Sequence, residues 1–348
     1  MSDTAHETVV DQRLEATHHC AHQVNAKPSP LHRINWPTLG PLIALVVISI
    51  AFTFINSSFA TWSNMRAILD QASIPLVLAM GATLVILMGS IDLSIQGVMA
   101  ASGLTFVLLS ANSVNGNEFG IGAIIAGLVV GVIFGAFSGI IHTKLRIPSF
   151  MATLGVWYIG LGVATVLFGD TVPELEDAGL LSWANATPLG IANGVLVAVA
   201  VVIIAVLIMR FSSLGRNALA IGADENLARL NSIPVNRYKI YVFTFAGLLS
   251  GVAGILGTMR IGNGIVEVGS GQLFFTTAAV VVGGTLLSGG RGGPLRSVVG
   301  VFLLTVINNG LILSGASPVY QQLIAGIVIV TAVVLAGLRQ RSRLRIIK

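Results

Sequence analysis

Charge is what this sequence lacks most. Only 9% of its 348 residues are Asp, Glu, Lys or Arg, and 54% are hydrophobic; a soluble domain carries about 25% charged residues. With a mean hydropathy of +0.89, these figures exclude a soluble fold and point to a multi-span membrane protein. Cys20 is the single cysteine, so no disulfide can form within the chain. Aromatics make up 7%, whereas there are 40 glycines, and small residues let transmembrane helices approach where no hydrophobic effect drives them together. Catalytic signatures are also missing. No G-x-x-x-x-G-K-[ST] occurs, and the glycine-rich run Gly289 to Pro294 has no lysine or hydroxyl after it. The chain is therefore not expected to hydrolyse ATP. Its spans hold no ionisable pair to relay protons and no histidine cluster, which argues against a pump or secondary carrier. No D-x-x-x-D cluster suggests a prenyl transferase, so an enzyme is not expected.

The hydrophobic segments predict an all-α integral membrane protein of about ten spans, each roughly 17 to 23 residues long. They fall near 39–56, 71–88, 93–111, 120–141, 149–169, 189–209, 240–259, 271–288, 295–313 and 319–337. With the N-terminus inside, 17 of 19 lysines and arginines lie on the inner side, and only Arg66 and Arg260 fall outside. Both ends are then cytosolic. This segregation accounts for the pI of 9.8 without nucleic acid. The expected organisation is a disordered cytosolic tail over 1–37, a transmembrane domain over 38–338 and a basic tail over 339–348 that anchors near anionic lipid. The first tail lacks the apolar run of a signal peptide, and its acidic residues argue against a transit peptide. Its His18, His19, Cys20 and His22 have no second ligand pair nearby and read as composition, not as a metal site. The acidic outer loop Gly169 to Pro188 is either a solvated connector or part of a docking surface.

The longest polar interruption of the apolar region runs from Met209 to Lys239, with the loop proper over about 210–239. It carries Arg210, Arg216, Arg229, Arg237 and Lys239 against only Asp224 and Glu225. Ala223 to Leu230 predicts one short amphipathic helix, with Leu227 and Leu230 on one face and Asp224, Glu225 and Arg229 mostly on the other. Pro234 is expected to end it. A short helix held between two spans at a membrane surface is a mechanical handle.

Few residues inside the spans carry chemistry. Asp92 sits between two apolar segments almost without a loop. It reads either as an N-cap of the third span or as part of a broken helix lining a pathway, together with Ser94. Asn308 and Asn309 lie mid-span and differ by about 100° in direction. They serve helix association or offer amides to a hydroxylated ligand. Thr276, Thr277, Gln321 and Gln322 share that ambiguity. Phe150, Trp157 and Tyr158 either stack on a sugar face or meet lipid and core. Gly247, Gly251, Gly254 and Gly257, and likewise Gly283 and Gly284, read as helix-packing positions.

Four segments, MGSIDLSIQGVMA at 88–100, KLRIPSFMATLG at 144–155, GRNALAIGADENLARLNSIPVNRYK at 215–239 and VVVGGTLLSGGRGGPLRSVVG at 280–300, resemble in order the permease subunits of bacterial ABC importers for monosaccharides, the ribose-type branch. The resemblance covers about residues 38 to 340. Ser90 stands where the common pattern has a second glycine, and Ile95-Gln96-Gly97 where it has valine-glycine-serine, so substrate contacts are not carried over. The resemblance implies a second permease copy or sister, two cytosolic ATPase subunits that hold ATP and Mg, and a periplasmic sugar-binding protein. No cofactor is implied in this chain. Localisation is the bacterial inner membrane. It makes 215–239 the ATPase-coupling element, with Gly215, Asn217, Gly222, Asp224, Glu225, Arg229 and Pro234 as its residues. Asp92, Ser94, Phe150, Asn308 and Asn309 are the candidates for the substrate pathway. Alternatives are a permease of the same architecture for a nucleoside or amino acid, and a carrier working alone.

Overall fold

The computed structural model describes residues 36–317 and, beyond them, Tyr320, Leu323, Ile324, Gly326, Ile327 and Val330. The residues before 36 in the expected first tail, most of the tenth span and the basic segment 339–348 lie outside the described residues, as do Gln321 and Gln322. The described residues from Gly40 onward form one compact unit. Among the described residues the chain is all-helical, with twelve α-helices. They are α1 Trp36–Ile55, α2 Trp62–Leu87, α3 Ile95–Leu109, α4 Ile121–Lys144, α5 Ser149–Phe168, α6 Ala178–Asn185, α7 Asn193–Phe211, α8 Ser213–Ala223, α9 Glu225–Leu230, α10 Val235–Ile261, α11 Gln272–Val282 and α12 Pro294–Leu313. Six of them (α2, α4, α5, α7, α10 and α12) are long and apolar enough to cross a membrane, while Leu39–Ile55, Ile95–Leu109 and Val266–Val282 are shorter apolar helical stretches.

Burial separates the centre from the rim. The most apolar window of α2 is 78% buried, against 28% for α4 and α5 and 22% for α7. Ile125, Val129 and Ile133 of α4 and Val199, Ile203 and Leu207 of α7 face outward, an apolar surface suited to hydrocarbon. The core joins Leu76, Met80, Met99, Leu249, Leu273 and Leu304 from five helices.

α10 packs against α4, α2 and α3, and glycine makes this possible. A Cβ on Gly131 or Gly135 of α4 would run into the backbone of α10 at Gly247, and one on Gly254 into Met99 of α3. The two backbones therefore touch, as the spacing of Gly247, Gly251 and Gly254 predicts. Gly257 instead faces the Val268 side chain. α11 and α12 meet in the same way at Gly283 and Gly300. Gly284 does not belong to this set: its φ of +98° places it in the turn after α11.

Several boundaries differ from expectation. α2 begins at Trp62 rather than near residue 71, because Thr61 caps it by accepting from the Asn64 amide. Its polar first turns are stabilised by Arg260, whose guanidinium pairs with Asp70 at 2.7 Å. α11 ends at Val282 and not near 288, since Gly284, Gly289 and Gly290 all take positive φ. Residues 173–176 run extended between two other loops, with Leu175 N donating to Gly262 O and Glu176 N to Ala111 O.

Candidate functional site

The handle is built from two helices, not one. α8 starts at Ser212, whose hydroxyl accepts from the Gly215 amide at 3.2 Å, and Gly215 lies on the backbone of Met209 at the end of α7. Asn217 is half-buried midway along α8. The helix breaks at Asp224, which adopts extended backbone and caps α9 by accepting from the amides of Asn226 and Leu227 at 2.9 and 3.0 Å. The single helix expected over Ala223 to Leu230 is corrected accordingly. The role of Pro234 is corrected too: α9 ends at Leu230 and is closed by Asn231 and by the left-handed Ser232, while Pro234 starts α10.

Ala228 is the buried residue of α9, whereas Leu227 and Leu230 are 57% and 80% exposed. The apolar face of Leu227 and Leu230 thus points away from the bundle. Arg216, Arg229 and Arg237 are exposed on the same element. Ala218, Ile221 and Ala228 hold the handle down on Leu84, Val85, Val235 and Val242.

Glu225 joins α9 to α10. One carboxylate oxygen accepts from Arg229 and the other from Lys239, each at 2.8 Å, and Arg229 also donates to Asn236 Oδ1 at 3.1 Å. Burial alone would raise the carboxyl's pKa, but the hydrogen bonds from Lys239 and Arg229 outweigh it and hold the group below its ordinary value. A carboxylate whose pKa is lower folded than unfolded contributes fully above its unfolded value, and the contribution is lost as pH falls through the folded one. Protection of the α9 amides, measured by hydrogen exchange corrected for intrinsic rate, should therefore be level down to about pH 5 and fall only below about pH 4, given an ordinary glutamate value near 4.3. Loss of protection between neutral pH and that range would contradict this assignment.

All four motif segments meet at residues 88–94, the unwound stretch between α2 and α3. Gly89 turns the chain with φ +71°. The Ile91 amide donates to Ser149 Oγ and the Leu93 amide to Thr153 Oγ1, both at 3.0 Å. Gly290 N donates to Leu87 O at 2.9 Å. Gly222, at the end of α8, sits so close to Leu87 and Gly290 that a Cβ would overlap Leu87 O and lie 2.6 Å from Gly290 N. The handle, the break and the glycine loop are therefore in backbone contact.

Asp92 is 6% exposed and lies in this stretch. It is not the N-cap of α3: Ser94 holds that position and makes no side-chain cap bond. Asp92 Oδ1 instead accepts from the Ser94 amide at 2.8 Å and from its hydroxyl at 2.6 Å. Phe150 is next to Ser149 in the chain but 44% exposed, and Tyr158 is 65% exposed. Asn309 is buried with Oδ1 unpaired, whereas Asn308 is exposed, as their divergent directions predict. Asn308 lies about 21 Å along α12 from Pro294. Sequence reasoning missed Lys239, Ser149 and Thr153 as functional partners; the last two stood inside a motif, and only their hydroxyls could have pointed to unpaired amides nearby.

An all-helical, apolar bundle with a basic two-helix handle seated on a broken helix is the architecture of a multi-pass membrane protein. The family described as "Branched-chain amino acid transport system / permease component" matches residues 64–333. The ribose import permease protein RbsC of Escherichia coli K12 is 34% identical over 304 residues, covering 86% of this chain and 93% of that protein. RbsC of Bacillus subtilis is 34% identical over 299 residues, covering 85% and 92%. The L-arabinose transport system permease protein AraH of E. coli K12 is 30% identical over 308 residues, covering 88% and 93%. The chain belongs to this family as an RbsC-like ABC permease of the inner membrane. It is the translocating subunit and not an enzyme, ATP being hydrolysed by a separate ATPase.

Proposed function

We propose that this permease imports a monosaccharide delivered by a periplasmic binding protein. The observation that carries the reading is the near full-length similarity to permeases named for ribose and L-arabinose. The chain would cross the membrane ten times with both ends cytosolic, in the order tail 1–37, permease domain 38–338 and tail 339–348. The basic handle then lies on the cytosolic side, and two permeases, identical or sister chains, enclose the pathway. α9 seats in a cytosolic ATPase that holds ATP and Mg; Leu227 and Leu230 enter its surface, and the exposed arginines flank them. Gly215, Asn217, Gly222, Asp224, Glu225, Arg229 and Pro234 shape and hold this coupling element. Closure of the ATPase pair moves the two handles together, the bundle opens outward, and sugar passes contacts of modest strength among Asp92, Ser94, Phe150, Asn308 and Asn309. The family's description as a branched-chain amino acid transport component favours a second reading, import of an amino acid.

The test is ATP hydrolysis by the permease purified with its cognate ATPase, with binding proteins loaded from a panel of pentoses, hexoses and branched-chain amino acids. Stimulation by one sugar-loaded protein is expected. Stimulation by an amino-acid-loaded protein alone would transfer the assignment to the second reading.

A further inference from the structure

Lys239 is a cation with little access to water. The residue is 8% exposed and sits one turn into α10, and Glu225 is its single acidic partner within 4.0 Å among the described residues. α10 also lies backbone to backbone on α4 at Gly247 and on α3 at Gly254. About 31 Å further along the same helix, Arg260 grips Asp70 of α2, pairing with its carboxylate at 2.7 Å and donating to its carbonyl at 3.2 Å. Thus a helix packed backbone to backbone on two neighbours is tied by an ion pair at each end, once to the handle and once to α2.

We infer that Lys239 is a positioning residue that works through Glu225: the pair is a strut that passes displacement of α9 into α10, and so to the Asp70–Arg260 tie. The inference rests on the importer reading only for what moves α9; the strut is a property of this chain. Three features single it out. α9 has six residues, too few to be stable alone. Its other bonds to α10 run through the half-exposed Arg229. A buried cation stripped of its partner is strongly unfavourable, so Lys239 holds Glu225 in place as the handle is pushed. Gly222 seats α8 by shape, without charge, so the two attachments are independent.

Two measurements decide the matter, with Lys239→Met, Glu225→Gln and the charge exchange Glu225→Lys with Lys239→Glu. The first uses the permease alone, with Cys20→Ser and spin labels at Leu230→Cys and Tyr241→Cys, both exposed positions. A narrow distance distribution is expected, broadened several-fold by Lys239→Met; an unchanged distribution overturns the strut. The second uses the complete complex in liposomes and reads import per ATP hydrolysed. Lys239→Met should keep the ATPase bound and hydrolysing while import per ATP falls tenfold or more, and the exchange should recover most of it. Wild-type import per ATP in Lys239→Met, or loss of the ATPase from the complex, overturns the transmission role. If no loaded binding protein stimulates the unsubstituted complex, the importer reading fails, and the spin-label distances still decide the strut.

Discussion

Gly222→Val is expected to abolish import. A Cβ at this position would overlap Leu87 O and approach Gly290 N to 2.6 Å, and neither atom can move aside as a side chain would. Forcing added carbons into a packed site costs about 1–3 kcal/mol where side chains can shift, and backbone on two sides leaves less room to shift. Each 1.4 kcal/mol lost from the productive arrangement is about tenfold in rate, so even Gly222→Ala should reduce uptake about tenfold and the valine variant a hundredfold or more. The contact also joins the handle to Leu87, at the edge of the unwound stretch, and to Gly290 of the glycine loop, so the damage should reach both the ATPase end and the broken helix. Uptake in cells and thermal melting of the purified chain would measure it. A valine variant that melts and transports like the unsubstituted protein would show that the three segments are not seated as described.

The second large effect concerns the face of α9. Replacing Leu227 and Leu230 together by aspartate should prevent the ATPase from co-purifying. Both side chains are exposed, so the permease itself should melt normally, with the helix still capped by Asp224 and tied by Glu225. Burying a leucine in a partner contributes about 1.5–3 kcal/mol. Losing two and placing carboxylates there should weaken association more than about a hundredfold, since 1.4 kcal/mol is tenfold. Ala228→Asp is the instructive contrast: that residue is 4% exposed and packs with Val235 and Val242, so the variant should unseat α9 and lower the melting temperature. An ATPase that still co-purifies with the double variant would remove the docking face from α9.

Much of the fold is legible in hydropathy, because spans such as α4 and α7 are uninterrupted apolar runs. The legibility fails where a polar residue finds a distant partner. α2 continues back to Trp62 because Arg260, 190 residues away in sequence, satisfies Asp70, and no local pattern records that pairing. The handle was recognisable by its charges, yet its break at Asp224 was not: an aspartate inside a helical pattern reads equally as a solvated face or as a cap. The same ambiguity hid Asp92, which caps the amide two residues on and not the helix proper. Glycine was legible as packing but not as geometry; the sequence alone does not separate Gly283, pressed on Arg296, from Gly284, which turns the chain.

The glycine contact between α4 and α10 has one more consequence. Side chains between two helices can change rotamer and let the helices slip; here no side chain intervenes at Gly131, Gly135 and Gly247. The pair has lost its internal degrees of freedom and acts as a keel. Displacement passed to α10 must then move α4 and α10 as one body, and the give lies elsewhere, as at the unwound residues 88–94, whose Ile91 and Leu93 amides are held by hydroxyls that water can replace.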